Sequence, residues 1–386
     1  MSPAQRPILT PQGQYSLESR ALMAPISPAE FRALVEEYPD PYLRQTLGQA
    51  QAVDLAELKG DRAHVRVQLG FPVGGYQDEF SRGLQSHVSS RGGPSQLDVE
   101  LVAKITAHAV QRPLSPLPGV RNVVAVASGK GGVGKSTVAA NLALAWARQG
   151  ARVGVLDADI YGPSQPIMLG LTGQRPSSPD GKRIKPLPAH GIVAMSIGFL
   201  IDPEQPMVWR GPMVTQALTQ LLGDTDWGDL DYLVIDMPPG TGDIQLTLSQ
   251  RVPVAGAVIV TTPQDIALAD ARKGLKMFEK VNVPVLGVVE NMSVHVCSHC
   301  GHAEHLFGAG GGARMAAQYG VELLGELPLD ARVREEADGG APTVAAAPDS
   351  PHAAPYFTMA RRTAAALARR SKDRSTLFPK IVVEES

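Results

Sequence analysis

VVAVASGKGGVGKST, residues 123–137, joins an apolar run to a glycine-rich loop that ends in Lys, Ser and Thr. The run at 123–128 has the continuous apolar composition of a buried β-strand, and residues 136–149 have a helical pattern. A strand, a glycine-rich loop and a helix in this order predict a phosphate-binding P-loop. This stretch therefore predicts an α/β nucleotide-binding domain.

Short apolar runs continue along the chain after this loop. Most of them end in Asp or Thr, and helix-like segments separate most of them. Such runs are typical of parallel strands that are buried on both faces. We therefore predict a P-loop NTPase domain at 121–372, with a doubly wound, mostly parallel α/β sheet and ligands beyond the carboxyl ends of its strands. The runs are VGVLDAD (153–159), LDYLVID (230–236), AVIVTT (257–262) and VPVLGVVE (283–290).

A proline-rich connector divides the chain in two. Residues 111–120, QRPLSPLPGV, contain three prolines, and a segment of this composition is stiff. We place the linker at 113–120 and predict a small α/β domain before it, at 28–112. The two ends of the chain, 1–27 and 373–386, are predicted to be tails, and the first of them is predicted to be disordered.

Local patterns predict single elements in both parts. FRALVEEY at 31–38 has helical spacing, and HVRVQLGF at 64–71 alternates as a strand does. LDVELVAKITAHAV, which runs from about Leu97 to residue 110, predicts a further strand. YFTMARRTAAALARR at 356–370 predicts a helix that packs on the NTPase domain and leaves its arginines in solvent.

The composition of the chain narrows the choice of partners. Its 386 residues carry a formal net charge of −2, and the sequence pI is about 6.5. The chain therefore has no strong positive electrostatic field that would attract a nucleic acid. No apolar stretch is long enough to span a bilayer, and MSPAQRPILTPQGQYSLESR at the amino terminus lacks the apolar core of a secretory signal. We therefore expect a cytoplasmic protein with neither membrane nor nucleic acid as a partner.

The glycine-rich loop supplies the groups that a nucleoside triphosphate needs. Gly129, Gly134, Lys135 and Ser136 fit the pattern G-x-x-x-x-G-K-[ST]. Glycines let backbone N–H groups approach phosphate oxygens, and the following helix directs its positive end at them. Lys135 is predicted to reach the β- and γ-phosphates of ATP, and Ser136 to offer its hydroxyl to Mg²⁺. The predicted nucleotide-binding residues of the loop are Gly129, Lys130, Gly131, Gly132, Val133, Gly134, Lys135, Ser136 and Thr137.

Two of the apolar runs end in carboxylates that suit a magnesium site. Asp236 ends LVID just before MPPGTGD, where an Asp is expected to hold Mg²⁺ through water. The prolines and glycines at 238–243 predict a hinge that senses the γ-phosphate. Asp157 and Asp159 end another run, and for Asp157 a role in capping the strand end is the simpler interpretation.

A second lysine stands inside the loop. Lys130, in GKGGVGKS, makes the chain similar to the deviant-Walker ATPases. The resemblance implies that Lys130 reaches the nucleotide of a partner subunit in a homodimer that holds ATP between its subunits. It also implies that Asp159 helps to position the attacking water and that Asn291 contacts adenine. A solvated Lys130 and a turn-capping Asn291 are the alternatives. The predicted catalytic residues are Lys130, Lys135, Asp159 and Asp236.

The chain has two cysteines, Cys297 and Cys300, and four of its nine histidines lie close to them in the sequence. C-x-x-C lets two thiolates converge on one metal centre, and sulfur selects zinc, copper(I) or an iron–sulfur cluster. Because one chain cannot supply four cysteines, three solutions are open: zinc completed by histidines, a redox dithiol, or a site shared by two subunits. A thioredoxin-like dithiol is disfavoured, because the motif does not open a helix in a compact βαβ unit.

A series of motifs runs through most of residues 118–345. In order, the motifs are SGKGGVGKST, LDADIYGPS, WRGPM (209–213), IDMPPGTGD, TTPQDIALAD, ENMS, the C-x-x-C pair, FGAGGG, and LGELPLD with VREEADGGAP. In this order they resemble the Mrp/ApbC group of iron–sulfur cluster carrier proteins. Residues 28–112 resemble, less closely, the small iron–sulfur-assembly domain that often precedes the ATPase in bacterial members.

The resemblance implies a specific role for the cysteines. Cys297 and Cys300 from each of two subunits would hold one [4Fe–4S] cluster at the interface of a homodimer, while Ser136 serves Mg²⁺. The cluster would come from a scaffold or donor protein and pass to apo iron–sulfur proteins, with slow ATP hydrolysis coupled to the transfer. The histidines are then not required as ligands, and a structural zinc is the alternative.

Two other classes of P-loop ATPase share the loop. A positioning or partition ATPase would bind membrane or DNA, but the C-x-x-C pair, the weak amphipathicity of 356–370 and the lack of a basic stripe are against it. An electron-transferring ATPase like the nitrogenase iron protein has widely spaced cysteine ligands rather than a pair. Iron–sulfur cluster carriage is therefore the main functional prediction.

Overall fold

The structure of the protein, a computed structural model, describes residues 26–60, 62–200, 211–370 and 372. The predicted tail at 373–386 and the first two residues of WRGPM (209–213) lie outside this part of the chain. The predicted tail at 1–27 also lies outside it, apart from Ile26 and Ser27. Ser27 caps the first helix, because its hydroxyl accepts a hydrogen bond from a backbone N–H of the first turn.

The amino-terminal part is a small α/β unit. Its elements are α1 (Pro28–Glu36), β1 (Pro39–Asp40), β2 (Gln45–Thr46), β3 (Val53–Lys59), β4 (Arg62–Leu69), α2 (Gln77–Ser89) and β5 (Gln96–Ala103). The central strand β4 is antiparallel to β3 and parallel to β5, and alternate residues of β4 are buried. The helix predicted at 31–38 and the strand predicted at 64–71 are thus confirmed in type, and each begins two or three residues earlier than predicted.

The end of this unit differs from the prediction. The strand predicted from Leu97 to residue 110 stops at Ala103. The chain then turns to the second unit, where the backbone N–H of His108 donates to Oδ1 of Asn122 at 3.1 Å. The side-chain amide of Gln111 also forms hydrogen bonds with backbone groups of that unit, at 2.6–3.0 Å. The connection is therefore bound to the NTPase domain before the predicted linker begins.

The second unit is the NTPase domain. Its elements are β6 (Val120–Ser128), α3 (Lys135–Arg148), β7 (Val153–Asp157), α4 (Gln165–Met168), β8 (Leu187–Ala189), β9 (Ile192–Ser196), α5 (Gly211–Asp224), β10 (Leu230–Asp236), α6 (Asp243–Arg251), β11 (Gly256–Thr261), α7 (Asp265–Lys280), β12 (Val285–Glu290), β13 (His295–Val296), β14 (Ala303–Glu304), α8 (Gly311–Tyr319), β15 (Glu322–Glu326), α9 (Ala331–Asp338), α10 (Thr343–Ala346) and α11 (Ala354–Ala368). A 3₁₀ turn at Ile197–Phe199 follows β9. In the described ranges, no helix is both long and apolar enough to cross a bilayer.

Eight of these strands form the central sheet, in the order β15-β12-β11-β6-β10-β7-β9-β8. All neighbouring pairs are parallel except β8 with β9, at one edge. Every residue of β7, β10, β11 and β12 is buried, which explains why their sequences are continuous apolar runs. The predicted doubly wound, mostly parallel sheet is confirmed, and the P-loop follows its middle strand β6.

The helix predicted at 356–370 is α11, and it packs against both units. Arg361 on this helix is only 6% exposed, so the expectation of solvated arginines is wrong for this residue. Its guanidinium lies 5.1 Å from the ring centre of Tyr42 and 4.8 Å from that of Tyr76, and it donates to the carbonyl of Gly74 at 3.2 Å. A cation between aromatic faces is stabilised there, so Arg361 anchors the small unit.

Candidate functional site

The P-loop is held by protein on one side and open on the other. A Cβ at Gly129 would lie 2.1 Å from the backbone of α7, and a Cβ at Gly134 would lie 2.2 Å from the side-chain nitrogen of Asn291. Gly134 also has a φ of 79°, in the left-handed region that favours glycine. No described atom lies within 4 Å of a Cβ added at Gly131 or Gly132. The loop therefore rests on α7 and on the end of β12 and leaves room for an anion.

Lys135 and Asp236 form the buried centre of the site. Lys135 begins α3 and Asp236 ends β10, so the P-loop brings the two side chains together. The Lys135 ammonium donates to the Asp236 carboxylate and, at 3.2 Å, to the Ser136 hydroxyl. A cation thus already lies between two oxygen groups of the kind that Mg²⁺ prefers, so these two residues fit a magnesium ion. Lys135 must turn away from Asp236 to reach a phosphate.

Asp157, at the end of β7, is fully buried beside this centre. One of its carboxylate oxygens accepts hydrogen bonds from the backbone N–H groups of Ser164 and Gln165, each at 3.0 Å. The other accepts from the N–H of Asp159 at 3.1 Å. Burial and the nearby Asp236 carboxylate raise the pKa of Asp157 to about 7. These contacts agree with a capping role, in which Asp157 holds the turn that carries Asp159.

Gln165 is a site residue that the sequence pattern does not reveal. Its side chain is fully buried, and its Nε2 donates to Oδ2 of Asp236 at 2.9 Å and to the carbonyl of Ser136 at 3.1 Å. Its Oε1 is buried without a hydrogen-bond partner among the described residues. The amide ties the segment after β7 to both the P-loop and Asp236. In the sequence, Gln165 directly follows the motif LDADIYGPS. The motif does not include this glutamine, so it gives no sign of its role.

Asp159 and Lys130 lie at the edge of this centre. Asp159 is partly exposed, and its carboxylate accepts a hydrogen bond from the N–H of Gly162 at 3.3 Å. Burial raises the pKa of Asp159, and the ammonium of Lys135 opposes that shift. Lys130 is held through its carbonyl, which accepts from the Ser128 hydroxyl at 2.9 Å. Its partly exposed side chain makes no ion pair within the described residues, and its predicted reach into a partner subunit stays a prediction.

Asn291 follows β12 and lies under the P-loop. It is 5% exposed, and its Nδ2 donates to the carbonyl of Val133 at 2.9 Å. Its backbone N–H donates to the carbonyl of Thr261 at 2.8 Å, so it is fixed to the sheet as well. Asn291 thus contacts the P-loop, while its contact with adenine stays a prediction.

The two cysteines lie in the turn of a hairpin formed by β13 and β14. The N–H of Cys297 donates to the carbonyl of His302, and the N–H of Gly301 donates to the carbonyl of Cys297, both at 2.9 Å. Backbone N–H groups of Cys300 and His299 point at the Cys297 sulfur and lower the pKa of its thiol. Cys297 is partly exposed and Cys300 is exposed. The turn therefore presents two thiols outward and favours the thiolate form of Cys297, the form that binds metals.

The nearby histidines do not complete a metal site in one chain. Among the described residues, no group of three or more His, Cys, Asp or Glu side chains is arranged to hold a metal ion. Nδ1 of His295 lies 3.0 Å from the carbonyl oxygen of Leu329, and Nδ1 of His305 lies 2.6 Å from that of Ser293. Both rings fix the base of the hairpin instead. The cysteine pair does not open a helix either, which agrees with the expectation that disfavoured a dithiol.

Comparisons with known proteins find both iron–sulfur cluster carriers and a P-loop NTPase family. A family model described as the ParA-type NUBPL iron-transfer P-loop NTPase matches residues 119–364. An iron–sulfur cluster carrier protein of Pseudomonas fragi is 64% identical over 278 residues, which cover 72% of this chain and 97% of that protein. One of Escherichia coli strain K12 is 50% identical over 345 residues, which cover 88% and 94%. A nucleotide-binding protein of Archaeoglobus fulgidus, solved with ADP and with cobalt, is 42% identical, has a TM-score of 0.52, and is matched over 57% of this chain and 87% of its own.

Proposed function

The chain belongs to the family of NUBPL-type iron-transfer P-loop NTPases, and we propose that it is an ATP-dependent iron–sulfur cluster carrier. It receives a [4Fe–4S] cluster as cargo from a scaffold or donor protein and transfers it to apo iron–sulfur proteins. The observation that carries the proposal is the outward-facing turn of Cys297 and Cys300. This turn supplies two of the four thiolates that such a cluster needs, so a second copy of the chain supplies the others. The cytoplasmic location stays a prediction.

The nucleotide site supports a role for ATP. Phosphates bind at the open side of the P-loop, and Lys135 exchanges its contact with Asp236 for one with the β- and γ-phosphates. Ser136, directly, and Asp236, through water, would hold Mg²⁺, which would neutralise phosphate charge. Asp159 helps to position the water, and Lys130 reaches the nucleotide of the second copy. Slow hydrolysis coupled to cluster transfer is part of this proposal.

The surface of the cysteine hairpin supports pairing of two chains. Val296 and Leu306, which lie in and beside the hairpin, are 52% and 55% exposed. Apolar side chains next to a metal-binding turn favour coverage by another protein surface. A homodimer that meets at this hairpin would bury them and bring four cysteines together.

Cluster transfer to an apo-acceptor tests the proposal. The anaerobically reconstituted protein is mixed with an apo [4Fe–4S] acceptor, and acceptor activity is followed with and without Mg–ATP. We expect transfer by the wild type that ATP changes, no change with ATP for Lys135→Ala, and no cluster on the double variant Cys297→Ala/Cys300→Ala. Transfer by the double variant, or an equal response to ATP in Lys135→Ala, is against the proposal. ATP-dependent co-sedimentation with liposomes or DNA instead would favour the partition alternative.

A further inference from the structure

The segment between the P-loop and the cysteines is short and tied down along its length. Cys297 follows Asn291 by six residues. Asn291 donates to the Val133 carbonyl of the P-loop, and its side chain fills the space that a Cβ on Gly134 would need. The amide therefore contacts the P-loop at the residue before α3. A movement of the loop at that point would therefore reach Asn291 through this contact.

The next residues carry this contact to the base of the hairpin. Met292 has a φ of 57°, an uncommon conformation for a residue with a long side chain, and its Cε lies 3.8 Å from the Cβ position of Gly134. The N–H of Ser293 donates to the carbonyl of Leu327 at 2.9 Å, and the carbonyl of Val294 accepts from the N–H of Leu329 at 2.8 Å. The chain from Asn291 to the hairpin therefore has little slack.

The far side of the hairpin is attached to the same point of the sheet. Glu290, the residue before Asn291, is 1% exposed, and its carboxylate accepts from the N–H of Gly312 at the start of α8. Gly312 has no room for a side chain, because a Cβ there would lie 2.9 Å from Cβ of Glu290. Both ends of the segment that contains the cysteines thus meet at the carboxyl end of β12, directly under the P-loop.

We infer that Asn291 is a positioning residue that couples the state of the P-loop to the cysteine turn. This inference rests on the proposed function, because it assigns the path by which ATP acts on cluster binding. When an anion binds, the N–H groups of the loop turn to it, and the Val133 carbonyl changes its position relative to Asn291. Met292 also lies against the loop at Gly134, so the displacement reaches the base of the hairpin through Asn291 and Met292. Coupling of this kind is reciprocal. Metal on the cysteines therefore changes the nucleotide affinity by the factor by which nucleotide changes the metal affinity.

Thiol alkylation in the metal-free protein measures this coupling. All samples carry Lys130→Ala, which the proposed function expects to prevent nucleotide-driven pairing, and light scattering checks that their masses are equal. The rates at Cys297 and Cys300 are measured by mass spectrometry, without nucleotide and with saturating Mg²⁺ and a non-hydrolysable ATP analogue. We expect the nucleotide to change the rate at least about fivefold in the parent protein. Saturation is established for every variant by direct binding of the analogue.

Three substitutions test the residue itself. Asn291→Asp keeps the size of the side chain but removes the donor to Val133, and Asn291→Ala removes the contact entirely. Met292→Gly retains the contact and adds slack, because glycine adopts this backbone conformation freely. We expect the nucleotide effect to fall to about onefold in all three. Asn282→Asp is the matched control, because Asn282 is exposed at the opposite end of β12, and it should keep the full effect.

The outcomes separate this inference from the proposed function. A nucleotide effect of parental size in Asn291→Ala or Asn291→Asp at saturation overturns the inference, and so does the lack of any effect in the parent. If Asn291 serves only adenine, the substitutions weaken binding of the analogue but leave the saturated effect intact, which also overturns it. If the effect depends on Asn291 while no cluster is ever bound or transferred, the coupling stands and the proposed function fails.

Discussion

The ammonium group of Lys135 contacts the carboxylate of Asp236, and the two side chains are 6% and 0% exposed. In this arrangement Lys135 neutralises a buried carboxylate, and the proposed function assigns the same ammonium to the phosphates when ATP is bound. The P-loop lysine therefore has a structural role before it has a catalytic one. Its substitution should affect the nucleotide-free protein as well as ATP binding.

Lys135→Ala should lower the free energy of unfolding of the nucleotide-free protein by about 3–5 kcal/mol, because it leaves a buried charge without its partner. Urea denaturation in nucleotide-free buffer measures this change. Lys273→Ala is the control: Lys273 is 67% exposed and pairs with Asp270 at 3.0 Å, so its loss should cost less than about 1 kcal/mol. Similar losses of unfolding free energy in the two variants would contradict a stabilising ion pair between Lys135 and Asp236.

Gln165→Leu should destabilise the protein by about 1–3 kcal/mol, because the Asp236 carboxylate and the Ser136 carbonyl each lose a buried donor. Since this amide holds the segment after β7 against Asp236, we also expect weaker Mg²⁺-dependent binding of ATP. Denaturation and calorimetry with and without Mg²⁺ measure the two effects. Gln174→Leu, at an exposed position, is the control and should change neither. If both variants behave alike, Gln165 is not part of the site.

Much of this site could be predicted because its strands are buried on both faces. The run at 230–236 was predicted with the bounds of β10, and the helix predicted at 136–149 is α3 displaced by one residue. Strands that are buried on both faces are continuously apolar. Phosphate binding requires particular residue types at fixed positions of the P-loop. The residues that we expect to contact ATP could therefore be predicted from the sequence.

What the sequence left out depends on contacts between distant segments. Helix α2 has three buried apolar residues, Phe80, Leu84 and Val88, in an otherwise polar stretch, so its pattern is weak. Arg361 is buried because aromatic rings from the small unit meet it, and no local pattern of α11 contains those rings. Gln165 matters only because folding brings it to Asp236, which is 71 residues away. The cases of Arg361 and Gln165 are tertiary contacts that no local pattern contains.

His108 should make stability depend on pH. It is 2% exposed, its ring nitrogen Nδ1 lies 2.8 Å from Oδ1 of Asn122, and burial lowers its pKa. Because an unfolded histidine titrates near about 6.5, the unfolded state binds the proton first as the pH falls. The free energy of unfolding should therefore decrease below that pH, by up to about 1.4 kcal/mol per pH unit from this residue, and keep the full contribution above it.

Urea denaturation between pH 5 and pH 8 (roughly the range in which histidine titrates) checks this dependence. The decrease should be shallower in His108→Gln than in the wild type. His299→Gln, in the exposed cysteine turn, should retain the slope of the wild type. A slope that is unchanged in His108→Gln would show that the buried ring does not titrate on unfolding.

Cys297 should react as a thiolate at lower pH than an ordinary thiol, whose pKa is about 8.5. The cause is the pair of backbone N–H groups, from Cys300 and His299, that point at its sulfur. In Cys300→Ser both N–H groups remain, so the rate of iodoacetamide alkylation against pH reports Cys297 alone. We expect its midpoint below that of the same protein unfolded in urea. Equal midpoints would mean that the turn does not favour the thiolate.

Cluster carriage as proposed requires two copies of the chain to share one cluster, which metal stoichiometry measured together with molecular mass checks. After anaerobic reconstitution, iron and acid-labile sulfide are measured in the same fraction as the mass by light scattering. We predict one [4Fe–4S] cluster per two chains, in a species with twice the chain mass of 40.9 kDa, and no bound iron in Cys297→Ala/Cys300→Ala. A cluster-loaded species with the mass of one chain, or iron retained without both thiols, would contradict the claim.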